Sequence, residues 1–281
     1  MKKRLISGLA GLCLGLLSAY SAQAEKPRKY DIPSAQPAVE SRDSLTERIK
    51  ADNIELRADF SQDELRDISE VLELYKNKVG DIKRFKLSLD KFPYNSEQTK
   101  FQSMTNATSY EPCEEFRGYS IRGATDPESL DISISPKKAI DGKFRYEQEK
   151  GLIPTGEEGK NHNFQWVLVH EIAHNIMHQT GLNDRFRLDF TNENDALYKN
   201  WQELQLETAE KCKPLEYKNG DFENVRPEGY PSKYSYFANS GEQVAELISY
   251  DLFGCDYAKQ DKVLAKKLDF VESYLREIKQ K

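Results

Sequence analysis

The alternation of apolar and polar positions predicts ordered structure from Ser61 onward. Ser61-Gln62-Asp63-Glu64 has the form of a capping box, with a hydroxyl at the N-cap and a carboxylate three residues later. Leu65, Ile68, Leu72, Tyr75 and Val79 follow at helical spacing, and Gly80 closes the run. Phe85-Lys86-Leu87-Ser88-Leu89 alternates as a half-buried strand does. Gly118 to Ile121, Leu130 to Ile134 and Lys143 to Tyr146 are further short strand candidates, with Pro136 closing the second of them. A glycine-rich loop from Gly151 to Gly159 leads into a helical pattern from Asn163 to Thr180, where Gly181 suits a C-cap. Residues 196–212, Glu242 to Phe253 and Tyr257 to Lys279 predict three more helices. Residues 213–240, rich in Pro, Gly, Asn and Tyr, predict a loop. No internal repeat is visible. A helix, a cluster of strands and then helices is an α+β order, not the regular alternation of a βαβ fold.

Before Ser61 the chain reads differently. Met1-Lys2-Lys3-Arg4 is basic, Leu5 to Leu17 is apolar apart from small residues, and Ala22-Gln23-Ala24 suits signal cleavage. Residues 1–24 are therefore expected to be a bacterial-type signal peptide, which makes the mature protein periplasmic or secreted. The apolar run is shorter than the roughly 20 residues of a membrane span, and no other segment qualifies. Residues 25–60 are expected to be a linker or a propeptide, extended at first around Pro27, Pro33 and Pro37, and charged and weakly helical after residue 40. Residues 61–281 would form the folded domain.

Composition narrows the function. The chain has 281 residues with a formal net charge of −6, and loss of Lys2, Lys3 and Arg4 with the signal makes it more acidic still. That balance argues against nucleic acid as a partner, because phosphate neutralisation needs a basic surface. Cleavage also removes Cys13 and leaves Cys113, Cys212 and Cys255, so at most one internal disulfide can form in an oxidising compartment. There is no Cys-x-x-Cys, which argues against a cysteine zinc site or a thioredoxin-type centre.

The chemistry-bearing signal is His170-Glu171-Ile172-Ala173-His174, inside the second predicted helix and flanked by apolar residues. Histidines at i and i+4 share a helix face about 6 Å apart along the axis, so both imidazoles can converge on one Zn2+. Glu171 then lies beside the metal, where its carboxylate can take a proton from water. His178 continues the stripe but stands about 12 Å along the axis from His170, too far to share an ion from a straight helix. It suits a cation near a helix C-terminus instead. Position 177 is Met and position 180 is Thr, which breaks the metzincin pattern. The third ligand is expected from a distant carboxylate, and Glu242-Gln243-Val244-Ala245-Glu246 is the best candidate. Ser240 and Gln243 suggest a capping box that places Glu242 in a first turn, and the helix beyond is apolar. Carboxylates on such a helix are costly to bury unless paired or bound to metal. Glu242 is assigned to zinc and Glu246 to a supporting hydrogen bond on a ligand imidazole. Glu207 and Glu210 form a rival pair in a more polar helix.

His170-Glu171-x-x-His174 followed by Glu242-x-x-Ala245-Glu246 resembles the glutamate-zincin metallopeptidases, and most nearly the anthrax lethal factor type. The resemblance covers residues 161–179 and 230–254. It implies a zincin-like fold with a small sheet, one zinc held by His170, His174 and Glu242, Glu171 as the base, and hydrolysis of a peptide or protein substrate. It also implies a loop tyrosine that steadies the oxyanion seven residues before the ligand glutamate. That position is Ser235 here, flanked by Tyr234 and Tyr236. Tyr236 is preferred because Asn239 then matches the family loop with one residue deleted, whereas Tyr234 needs an insertion. Two other readings of the chain are a non-catalytic zincin-like binding domain and a helical envelope scaffold.

Overall fold

The computed structural model describes residues 40–91, 123–138, 140–141, 163–182, 195–218, 221–222, 226–254 and 261–281. The signal segment, the proline-bearing stretch, the strand candidates at Gly118 to Ile121 and Lys143 to Tyr146, the Gly151 to Gly159 loop, Cys113 and Cys255 lie outside the described residues. Glu40–Lys281 forms one compact unit. Among the described residues it is a mixture of α-helices and a small mixed sheet, as an α+β reading requires.

The sheet has the order β1-β2-β4-β3. Strands β1 (Ile54–Leu56), β2 (Leu87–Lys91) and β4 (Asp131–Ile134) run parallel, and β3 (Gly123–Thr125) is antiparallel to β4 at the edge. The registers pair Leu56 with Leu89 and Leu89 with Ile132, which lines up apolar side chains under the helices. Residues 40–60, expected in a linker, belong to this unit. Helix α1 (Arg42–Ala51), β1 and the segment after it bury Leu45, Ile49, Ile54 and Phe60 to 2% exposure or less. Only Leu45 and Ile49 of α1 are buried among charged residues, too sparse a stripe to stand out in the sequence.

Helix α2 (Gln62–Val79) shows the capping box in full: Ser61 accepts from the Glu64 amide, and the Glu64 carboxylate accepts from the Ser61 amide. Its buried stripe of Leu65, Ile68, Leu72, Tyr75 and Val79 faces the core, and the Tyr75 hydroxyl donates to the Val169 carbonyl at 2.6 Å. That carbonyl belongs to α3 (Phe164–Gln179), capped by the Asn163 side chain and followed by Gly181 at φ 73°. Helix α3 packs between the β3–β4 edge and a later helix, so nearly every residue of its middle turns is buried. Helix α4 (Ala196–Lys211) buries Trp201, Leu204 and Thr208.

The segment expected as a loop, residues 213–240, holds a two-stranded ribbon of β5 (Tyr217–Lys218) and β6 (Asp221–Phe222) and a short helix, α5 (Lys233–Phe237). Helix α5 is capped by a Ser232–Ser235 box in place of the commoner Ser–Glu pair. Helix α6 (Ser240–Leu252) starts one residue earlier than its sequence cap implied. The Asn239 side chain, not Ser240, is the N-cap and accepts from the Glu242 amide at 3.1 Å. Asparagine and serine cap about equally well, so the pattern alone did not separate them. Glu242 still falls in the first turn. Helix α7 (Lys262–Gln280) closes the chain against α2, α4 and α6. No helix of the described residues is long and apolar enough to cross a membrane.

Candidate metal centre

Helix α3 carries His170, Glu171 and His174 on the side that faces β3 and α6. His170 is 8% exposed, and its Nε2 lies 3.0 Å from His174 Nε2 and 3.0 Å from Glu242 Oε2. His174 Nε2 lies 3.1 Å from the same carboxylate oxygen. The three atoms form a nearly equilateral triangle, and among the described residues they are the group positioned to hold a metal ion. A triangle of this size has a radius of about 1.8 Å, just inside the zinc–nitrogen and zinc–oxygen bond lengths of roughly 2.0–2.2 Å. All three atoms can therefore reach a single ion. The donor set suits a cation. Two imidazole nitrogens and a carboxylate oxygen within 3.1 Å bring three lone pairs together, and a single shared proton satisfies only part of that cluster.

The electrostatics agree. Burial pushes the His170 imidazole down, but Glu242 and Glu246 outweigh it and hold its pKa well above the usual histidine value. Burial pushes the Glu242 carboxyl up, but His170 and His174 outweigh that and hold it well below the usual carboxylate range. The pocket favours positive charge. Glu246 supports it from behind: its Oε1 lies 3.1 Å from His170 Nδ1, off the direction of a linear hydrogen bond, and accepts from Trp166 Nε1 at 3.2 Å. Its Oε2 accepts from the Ser232 hydroxyl at 2.8 Å. Trp166 in turn stacks on Phe253 with ring centroids 5.4 Å apart, which fixes the indole.

Glu171 is buried beside the triangle, where its Oε2 accepts from the Thr125 hydroxyl at 2.9 Å. Burial pushes its carboxyl up, and His170, His174 and Thr125 only partly oppose it. A carboxylate raised toward neutrality is a better proton carrier near neutral pH than an ordinary one.

The tyrosines divide. Tyr234 donates its hydroxyl to Glu242 Oε2 at 2.9 Å, and its ring stands edge-on to His170. Tyr236 instead packs on Tyr230 and Phe237, with centroids 5.2 and 4.9 Å away. Residues two apart on a helical turn point about 200° apart, so α5 can aim only one of the two at the triangle. The structure brings Tyr234 there, the choice that requires the longer loop. Burial first, then Glu242, pushes the Tyr234 phenol far up, so it stays a neutral donor.

The loop that carries Ser232 and Tyr234 is tied to the start of α7. Asp261, 5% exposed, accepts from the Gly229 amide at 2.7 Å, from Arg226 at 2.9 Å and from the Leu264 amide at 2.9 Å. Gly229 has φ 79° and lies so close to Cys212 that an added Cβ would meet its sulfur at 2.7 Å. Cys212 carries a free thiol, raised by burial. Sequence reasoning identified the triangle, Glu171 and Glu246 but not Thr125, Ser232, Trp166 or Asp261. His178 stands outside the triangle, in the last turn of α3. Glu207 pairs with Lys211 and Lys266 away from it, and Glu210 is exposed. Comparison of the chain with protein-family models, curated proteins and solved structures returned no match.

Proposed function

We propose that the protein is a zinc-dependent metallopeptidase of the glutamate-zincin type, acting on a peptide or protein substrate in the periplasm or outside the cell. The observation that carries this reading is the convergence of His170 Nε2, His174 Nε2 and Glu242 Oε2, with the Glu171 carboxylate beside them. His170, His174 and Glu242 would hold the ion, and Glu246 would steer the His170 ring. A zinc ion held there would supply a Lewis acid for a carbonyl and make water acidic enough to attack at neutral pH.

The remaining work falls to the chain. Glu171 takes a proton from the attacking water on its carboxylate and returns it to the leaving amine, a task suited to its raised pKa. Tyr234 offers a neutral hydroxyl where negative charge develops on the attacked carbonyl oxygen, once substrate draws it away from Glu242. Strand β3 borders the site and, among the described residues, pairs on one side only.

Metal analysis and peptidase assay of the wild type and Glu171→Gln test the proposal. One zinc per chain in both proteins, with turnover lost by about 10²–10⁴-fold in the variant, is the expected result. A zinc-free wild type overturns the metal assignment. Equal turnover in the two proteins overturns the role of Glu171. A zinc-loaded wild type that cleaves no peptide leaves a binding domain.

A further inference from the structure

We infer that Thr125, on the edge strand β3, is the positioning residue for the Glu171 carboxylate, and that position 123 is glycine because that side chain fills the space a Cβ would take. The inference rests on the reading of Glu171 as the base.

A glutamate has three side-chain torsions, and a base that moves protons between two partners must be held in one of its arrangements. The Thr125 hydroxyl lies 2.9 Å from Glu171 Oε2 and 2.9 Å from the Glu171 backbone carbonyl. One hydroxyl proton serves one of these acceptors at a time, and both belong to the same residue. With Oε2 engaged by Thr125, Oε1 is the oxygen left to take a water proton. Gly123 walls the other flank. A Cβ there would stand 2.6 Å from Glu171 Cγ and 2.8 Å from Oε1, well inside contact distance. Gly123 and Thr125 are two apart on one strand, so both face the same side, toward α3. The antiparallel pairing with β4, Gly123 to Ile134 and Thr125 to Ile132, fixes their height against the helix. A strand of three residues thus supplies both a donor and a gap for one carboxylate.

The test is a set of variants read by zinc content, steady-state kinetics and crystal structure. Thr125→Val should keep zinc and KM but lower kcat by about 10–100-fold, the scale of an ångström's misplacement of a reacting group. Thr125→Ser, which keeps the hydroxyl, should stay within about threefold of wild type. Gly123→Ala should lower kcat at least as much as Thr125→Val. Glu171→Asp pulls the carboxylate out of Thr125's reach, so adding Thr125→Val to it should cost little more, a non-additivity that marks direct coupling. Wild-type kcat in Thr125→Val, or the same loss in the Glu171→Asp background, overturns the inference and leaves the peptidase reading intact. If the wild type binds no zinc and cleaves nothing, that reading fails, but crystal structures still decide the point. The Glu171 carboxylate should leave its place in Thr125→Val and keep it in Thr125→Ser. An unmoved carboxylate in the valine variant overturns the inference.

Discussion

Replacing Lys267 by methionine should make the protein more stable at neutral pH. Lys267 lies on α7 with 1% of its surface exposed, and among the described residues its Nζ has no hydrogen-bond partner. Its company is aromatic: the Tyr230 ring centroid is 4.0 Å away and that of Trp201 5.8 Å. Burial pushes its pKa from 10.5 down to about 8, against the opposing pull of Cys212 and Asp261. A fall of that size corresponds to about 3 kcal/mol by which the folded state disfavours the charged amine. A desolvated cation–π contact returns about 2 kcal/mol, so the net penalty at pH 7 is about 1–3 kcal/mol. Methionine keeps much of the apolar stem and carries no charge to bury. The expected gain in Tm is roughly 3–10 °C for a domain of this size.

The pH dependence has a definite sign. Below pH 8 the lysine is charged in both states and the penalty is complete. Between about 8 and 10.5 the folded state sheds its proton before the unfolded state does, so wild-type stability gains on the variant. Urea and thermal unfolding of both proteins at pH 7 and pH 10 measure this. A less stable Lys267→Met at pH 7, or an advantage that does not shrink by pH 10, would refute the reasoning.

Four further outcomes are expected. Alanine at His170, His174 or Glu242 should each remove stoichiometric zinc on metal analysis. Full occupancy in Glu242→Ala together with loss in Glu207→Ala would move the third ligand to α4. Glu246→Ala should weaken zinc affinity or turnover by about 10–100-fold, as loss of a partner to a ligand histidine does, and wild-type values would reduce Glu246 to a structural acid. Tyr234→Phe should lower the peptidase rate by about 10²–10³-fold with zinc retained, and Tyr236→Phe should stay near wild type; the reverse order would reassign the donor. Zinc affinity measured by competition with a chelator should rise with pH through neutrality. Glu242 and Glu246 hold the His170 pKa up, so a proton must leave before metal binds, and a flat profile between pH 6 and 8 would contradict that.

How much of this was legible depended on how local each signal was. The two imidazoles and Glu171 share one helical turn, so spacing alone placed them. Glu242 lies 72 residues from His170, yet it was visible because two carboxylates on an apolar helix need a reason to be there. Thr125 lies 46 residues from Glu171 on a strand of three residues, Gly-Ala-Thr, which has no alternation to betray it. Helix α1 hid behind its charges, since two buried residues in ten leave little periodicity. The two tyrosines could be separated only once α5 was seen as a helical turn, because its cap is two serines and not the usual serine and glutamate. Tertiary hydrogen bonds such as Trp166 to Glu246 and Gly229 to Asp261 leave no mark in sequence spacing at all.

Asp261 gives the site a clock. His170, His174 and Glu242 are all synthesised before it, and so are Ser232 and Tyr234. The loop that carries those two is held at its base by a carboxylate that comes later in the chain and caps a helix later still. During vectorial synthesis, a chain that has emerged only as far as α6 already carries His170, His174 and Glu242. It lacks the anchor that sets the Arg226–Tyr230 turn. Ser232 and Tyr234 can still reach Glu246 and Glu242 on α6, but the turn at the base of their loop is tied down only once the start of α7 is in place.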